Sequence, residues 1–204
     1  MDGLRLKNLP DLLQPDVLIT ADGTEIMFFG SEGIPHLCRQ WDRQIREHWN
    51  LERVAAVMDA WDAGCIPGIN DGEDLRRSIT VAPANRVVAA VAIRDALGEH
   101  VEVNDIDSWV SDVVLITASP KAAGKGNAAM ALRGMYNFPL SQTMWAGDSK
   151  GDASFLRTDI QGVVVRNASQ EFLMMAANHP GCALLACGRS AFGVLEGMNN
   201  YGMC

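Results

Sequence analysis

A parallel α/β core carrying a mixed α+β insertion is the fold this sequence predicts. From Pro120 onward, apolar strands alternate with short helical stretches, the pattern of βαβ units and a parallel sheet. Between residues 30 and 117, helices and strands come in mixed order instead. One apolar run of the regular part, Thr143 to Ala146, leads straight into Gly147-Asp148-Ser149-Lys150-Gly151-Asp152. In open α/β sheets, ligands bind beyond the carboxyl ends of strands.

Taken in order, Leu4 to Leu13 reads as a helix end or connector. Val17-Leu18-Ile19-Thr20 is a short strand, and Thr24 to Phe29 a second, across an Asp22-Gly23 turn signal. His36–His48 and Leu51–Trp61 read as helices, with Asn50 as N-cap of the second. The Gly/Pro/Asn/Asp-rich stretch 64–72 is a loop. Arg77–Ala82 alternates like a half-buried strand, and Ala84–Leu97 has helical spacing with Gly98 at its stop. His100–Val103 and Val113–Thr117 are further strands. The regular part then predicts helix Gly126–Tyr136, strand Thr143–Ala146, helix Asp152–Arg157, strand Gly162–Arg166, helix Ser169–Ala177, a buried strand Cys182–Cys187 and a last helix from about Ala191 to Tyr201.

The totals limit the function. The chain has 204 residues, 48% of them apolar, and a formal charge of −8. That balance argues against nucleic acid as a partner, which needs a basic face. It leaves room for an anionic small substrate, since a local Lys/Arg cluster acts inside an acidic protein. No apolar run reaches the roughly 18–20 residues that span a membrane, so no membrane partner is expected. The first ten residues show no apolar signal region. The five cysteines match no zinc pattern and read as reduced thiols of a cytoplasmic protein. The four histidines show no metal spacing and receive no role. Core packing is the default for the tryptophans, Trp41, Trp49 and Trp61 falling in the insertion's helices.

Three places carry chemistry. Asp148 and Asp152 lie four apart across a strand-to-helix turn. Like carboxylates held close repel, and a hard cation relieves the repulsion while gaining oxygen ligands. Equally, Asp148 serves as a helix cap and Asp152 as a first-turn acid favoured by the dipole. Lys125 sits in Ala-Gly-Lys-Gly ahead of a helix, where flanking glycines allow close backbone approach to a ligand. The stretch is not a Walker loop, because the GxxxxGK[ST] spacing is absent. Thr20-Ala21-Asp22-Gly23-Thr24 resembles the Asp-x-Asp-Gly-Thr pattern in which one phosphatase superfamily presents its nucleophile. Thr20 stands where the attacking acid belongs, so Asp22-Gly23 reads as a turn.

Together these residues resemble haloacid dehalogenase-like phosphatases, and more narrowly the sucrose-phosphate phosphatase group. Gly124-Lys125-Gly126-Asn127 is similar to that superfamily's third motif, and Gly147-Asp148-Ser149 with Asp152 to its fourth. Gly23-Thr24-Glu25-Ile26, Trp41 to Trp49, Gly162 to Ala168 and Phe192 to Gly197 complete the likeness over almost the whole chain. The resemblance implies a Rossmann-like core at 1–29 and 118–204 with an inserted cap at 30–117. It implies Mg²⁺ as cofactor and hydrolysis of sucrose 6-phosphate, a small-molecule sugar phosphate, to sucrose and phosphate. Lys125 and Asp152 would be catalytic and Asp148 the metal ligand. Asn127, Ser149 and Arg77 would lie near the substrate.

The chain departs from the group in two ways. No Asp-x-Asp follows an apolar run near Met1, and Asp105-Ile106-Asp107 has that spelling only inside the insertion, before Ser108-Trp109. Lys150-Gly151 stands where the group commonly has Gly-Asn. Without the attacking carboxylate no aspartyl-phosphate forms, so the expectation is a partial, inactive hydrolase chain whose sheet core is incomplete at the N-terminus. Two other readings stay open. One is a non-catalytic module that binds a sugar phosphate or docks on a sugar-phosphate synthase. The other is a phosphatase of a different sugar phosphate.

Overall fold

The computed structural model describes residues 15–29, 34–64, 74–108 and 112–203. They fall into two compact units, residues 1–38 with 124–204, and residues 39–123. The expected connector at 4–13 and most of the loop at 64–72 lie outside the described residues.

The first unit begins with a hairpin. Strand β1 (Val17–Thr20) pairs antiparallel with β2 (Glu25–Phe29), in the register Thr20 opposite Glu25. The expected Asp22-Gly23 turn is present. Both residues have positive φ, +54° and +91°, and the Thr24 N–H bonds to the Ala21 carbonyl at 3.1 Å. That is the I′ geometry for which Asp-Gly is the standard sequence. The Thr20 hydroxyl donates to Glu25 Oε2 at 2.7 Å, so Thr20 closes the hairpin. A third strand, β3 (Pro35–Leu37), adds antiparallel to β2.

The second unit opens with α1 (Arg39–Arg46) and α2 (Leu51–Met58). The helix expected from His36 therefore starts later, because Pro35-His36-Leu37 is drawn into the sheet, where His36 pairs with Phe28 of β2. Trp49 and Trp61 consequently follow the helices rather than lying in them. Asn50 caps α2 as expected, its side chain accepting the Arg53 N–H at 2.9 Å. Next come β4 (Arg77–Val81), α3 (Arg86–Leu97), β5 (Val101–Asp107) and β6 (Val114–Pro120), the strands forming an antiparallel sheet in the order β4-β6-β5. Strand β4 is buried from Ser78 to Val81, not half-buried, because Ser78 and Thr80 bond to Thr117 and Asp62. Strand β5 runs four residues beyond Val103, where Arg86 pairs with Asp105 at 2.5 Å and Asp107 at 2.8 Å. The core joins Val54 and Met58 of α2, Ala90 and Ile93 of α3, and Ile79, Val103 and Ile116 of the sheet.

The first unit resumes with α4 (Lys125–Tyr136), β7 (Met144–Gly147), β8 (Gln161–Val164), α5 (Gln170–Ala177), β9 (Ala183–Leu185) and α6 (Ser190–Asn200). Strands β7, β8 and β9 are parallel and adjacent in that order, as the strand–helix alternation predicts. The helix expected at Asp152–Arg157 is a 3₁₀ segment beginning at Lys150. Strand β9 is shorter than expected and only half-buried to exposed, because it is a sheet edge. In the core, the Trp145 indole N–H donates to the Ile160 carbonyl at 3.0 Å, and its ring stacks on Phe155 at 5.3 Å. Gly162 lies beneath that ring, where a Cβ would come within 1.9 Å of it.

Candidate functional site

The site grows from the carboxyl end of β7. Gly147 ends the strand against Asp152, whose Cβ would stand 2.8 Å from a Cβ at 147. Ser149 is extended and caps the 3₁₀ segment in a capping box. Its side chain accepts the N–H of Asp152, and the Asp152 carboxylate takes the N–H of Ser149. The cap is thus Ser149, not Asp148.

Asp152 does more than close that box. Its Oδ2 accepts the N–H of Asp148 at 3.1 Å and that of Ser149 at 3.4 Å. Its Oδ1 takes the Lys125 ammonium at 2.8 Å, with side chains 35% exposed for Lys125 and 12% for Asp152. One buried acid therefore fixes both the β7 turn and the lysine. Charge-assisted bonds of this kind are about twice as strong as neutral ones.

Lys125 is the first residue of α4. The glycine that follows it brings protein backbone together. A Cβ on Gly126 would stand 2.6 Å from the Ser154 carbonyl oxygen, and the Gly126 N–H donates to Ser154 Oγ at 3.0 Å. A Cβ on Gly23 would stand 2.2 Å from the Gly124 carbonyl carbon. The sequence offers residue 23 as a turn and as part of the family likeness, and gives residue 154 no role in the site. Their signal was the run of small residues at 23, 124 and 126, which marks close backbone approach.

Asp148 is held by its backbone: the N–H goes to Asp152, and the carbonyl accepts the Ser169 N–H at 2.8 Å. Its side chain is exposed, and among the described residues no hydrogen bond or ion pair engages that carboxylate. Lys150 is turned to α5, its ammonium 3.1 Å from Glu171 Oε1. Asn127 is exposed in the first turn of α4, and Ser149 is exposed beside Asp148. Arg77 belongs to the second unit, on β4, where its guanidinium pairs with Asp59. The structure thus joins Lys125, Asp148, Ser149 and Asp152 into one constellation. Asp105 and Asp107 stand on an antiparallel strand clamped by Arg86, which accounts for their spacing without chemistry.

This backbone is shared with haloacid dehalogenase-like hydrolases. One such protein from Bacillus subtilis matches with a TM-score of 0.61 at 18% identity, covering 91% of this chain and 68% of that one. A Thermoplasma acidophilum protein matches with a TM-score of 0.63 at 11% identity, over 95% of this chain and 76% of that one. Both show the fold alone. The chain belongs to the sucrose-6F-phosphate phosphohydrolase family, whose profile matches residues 3–202.

Two relatives illustrate the membership. The sucrose-phosphatase of Synechocystis sp. PCC6803, solved with sucrose and phosphate, matches with a TM-score of 0.76 at 26% identity, over 93% of this chain and 75% of that one. A probable sucrose-phosphatase 3b of Arabidopsis thaliana is 29% identical over 175 residues, 82% of this chain. The chain spans 40% of the length of that curated relative.

Proposed function

We propose that this chain provides the charge-holding part of a sucrose 6-phosphate phosphohydrolase site, within sucrose biosynthesis in the cytoplasm. The carrying observation is the Lys125–Asp152–Asp148 constellation at the carboxyl end of a parallel strand. The first unit acts as the hydrolase core and the second as its cap. Lys125 places a cation where a phosphoryl group gains charge. Asp152 holds the lysine and the Asp148–Ser149 backbone in register. Asn127 and Ser149 serve the phosphate, and Arg77 is a further substrate-binding residue.

The Asp148 carboxylate fits Mg²⁺. It is a hard oxygen donor, exposed and anchored by its own backbone on both sides. Among the described residues no group of three His, Cys, Asp or Glu could hold a metal. Mg²⁺ does not need one, since it is bound through one or two carboxylates with water and substrate phosphate. When bound, the ion would neutralise phosphate charge beside Lys125.

In this reading neither acid of the constellation is free to attack phosphorus. Both oxygens of Asp152 are committed, and Asp148 is the metal's ligand in this reading. The chain alone is therefore expected to bind and not to turn over. Calorimetry with Mg²⁺ and sucrose 6-phosphate, against fructose 6-phosphate and glucose 6-phosphate, tests the reading alongside a phosphate-release assay. Binding should favour sucrose 6-phosphate and weaken about tenfold or more in Lys125→Met and in Asp148→Asn. Equal affinity for all three esters would remove the substrate assignment. Robust turnover abolished by Asp148→Asn would remove the claim of inactivity.

The commitment of Asp152 and the tether of Lys150 on Glu171 also favour a second reading, a module that binds sugar phosphate or docks on a sugar-phosphate synthase without chemistry. Binding of sugar phosphate with no turnover even when the chain is extended to the length of its relatives would select it.

A further inference from the structure

We propose that Gly23 is a positioning residue for Lys125, and that the strained turn it closes is the wall against which the lysine loop is seated. The inference rests on the reading of Lys125 as the charge-holding group. A Cβ at Gly23 would meet the Gly124 carbonyl carbon at 2.2 Å, its oxygen at 2.5 Å and the Lys125 nitrogen at 2.6 Å. These are backbone atoms and cannot rotate aside. On the other side of the loop, Gly126 is flush against the Ser154 backbone and bonded to its hydroxyl. The backbone of residues 124–126 is therefore gripped between the turn and the 3₁₀ segment. The 2.8 Å reach of the Lys125 ammonium to Asp152 depends on where that grip holds it.

The turn is built to keep its place. Ala21 and Asp22 have φ of +47° and +54°, a region costly for residues with a Cβ. Thr24, 3% exposed, pins it: its N–H and its hydroxyl both bond to the Ala21 carbonyl, at 3.1 and 2.9 Å. Backbone strain of this kind persists only where the surroundings over-determine it, and it gathers at functional positions. A hairpin needing only to reverse direction would be served by the turn without such contact. Gly98 shows the contrast: its φ is +80°, and a Cβ there would meet nothing within 4 Å.

Competitive acetylation under native conditions, read by peptide mass spectrometry, tests the role as the ratio of Lys125 to Lys150 modification. Gly23→Ala should release Lys125 from Asp152 and raise the ratio. Thr24→Val, which removes one pin without adding bulk, should raise it less. Gly98→Ala, which adds strain without a clash, should leave it unchanged. Urea unfolding adds a mutant cycle. The loss caused by Gly23→Ala in the unfolding constant should be about fivefold greater with Lys125 present than in a Lys125→Met background. If Gly23→Ala does not fold, Thr24→Val takes its place in both measurements. An unchanged labelling ratio together with additive losses overturns the proposal. Neither readout involves turnover, so this failure and a failure of the hydrolase reading are separate outcomes.

Discussion

Replacing Asp152 by Asn changes one oxygen to an NH₂ and barely alters volume, yet it should cost more than removing the lysine it holds. The carboxylate accepts from three donors: the Lys125 ammonium at 2.8 Å and the N–H groups of Asp148 and Ser149 at 3.1 and 3.4 Å. An amide has a single oxygen. If that oxygen keeps the backbone pair, the NH₂ faces the ammonium. If it turns to Lys125, the NH₂ faces two backbone donors. Donor meets donor either way, at a side chain only 12% exposed. A bond to a charged acceptor contributes about 1.5–3 kcal/mol, and stranding a buried donor costs a similar amount. The ion pair is screened on the Lys125 side, so its own share is about 1 kcal/mol or less. Asp152→Asn should therefore lower stability by about 2–3 kcal/mol, and Lys125→Met, which leaves both backbone bonds intact, by about 1. For a chain of this length that is a fall in Tm of about 5–10 °C against about 2–4 °C. Urea unfolding with unchanged m values measures both. If Asp152→Asn costs no more than Lys125→Met, the acid is not the common anchor of lysine and turn, and the reasoning fails.

Two further outcomes follow from geometry outside that cluster. Burial raises the Asp62 pKa most, but the N–H groups of Thr80 and Gly64, the Thr80 hydroxyl and the Arg77 charge outweigh it, and the net shift is downward. Such a group stabilises the fold above its unfolded pKa and loses that contribution as pH falls through the lowered folded value. Asp62→Asn should consequently flatten the acid limb of stability below about pH 4, and an unaltered limb would contradict the hydrogen-bond assignment. Gly162→Ala would drive a Cβ to 1.9 Å from the Trp145 ring and should cost about 3 kcal/mol or more. A thermal melt matching the wild type would mean that Trp145 does not lie over Gly162.

Much of the framework was legible because local chemistry and tertiary structure agree in it. Asp-Gly supplies positive φ for the I′ turn, Asn50 caps α2, Gly98 stops α3, and apolar strands alternate with helices from residue 120 onward. The misreadings sit where tertiary pairing overrides the local signal. His36 has helical company downstream but is taken by a sheet edge, and β5 runs past the expected end at Val103 into a charged stretch for which Arg86 supplies the counter-charge. In the site, the types and spacing of Lys125, Asp148 and Asp152 were visible. The purpose of the glycines was not. Pattern alone does not distinguish a glycine that admits a ligand from one that admits another strand of backbone, and at 23 and 126 the neighbour is backbone.

At Asp152 the helix-end role and the contact with Lys125 fall on one carboxylate. It is the reciprocal acid of a capping box and, with its other oxygen, the partner of Lys125. Had the two roles been separate, the first would say nothing of the second. Because both use one carboxylate, the backbone of Asp148, the start of the 3₁₀ segment and the lysine cation move together. That coupling leaves Asp152 no oxygen without a donor, and it leaves Asp148 the exposed acid of the pair. In the proposed reading this divides the roles by physics rather than by motif: Asp152 acts through what it holds, Asp148 through what it would bind. Kinetics or binding of the two Asn variants should therefore differ in kind. Asp148→Asn should lose Mg²⁺-dependent phosphate affinity with stability within about 0.5 kcal/mol of wild type, as for an exposed side chain, whereas Asp152→Asn should lose both.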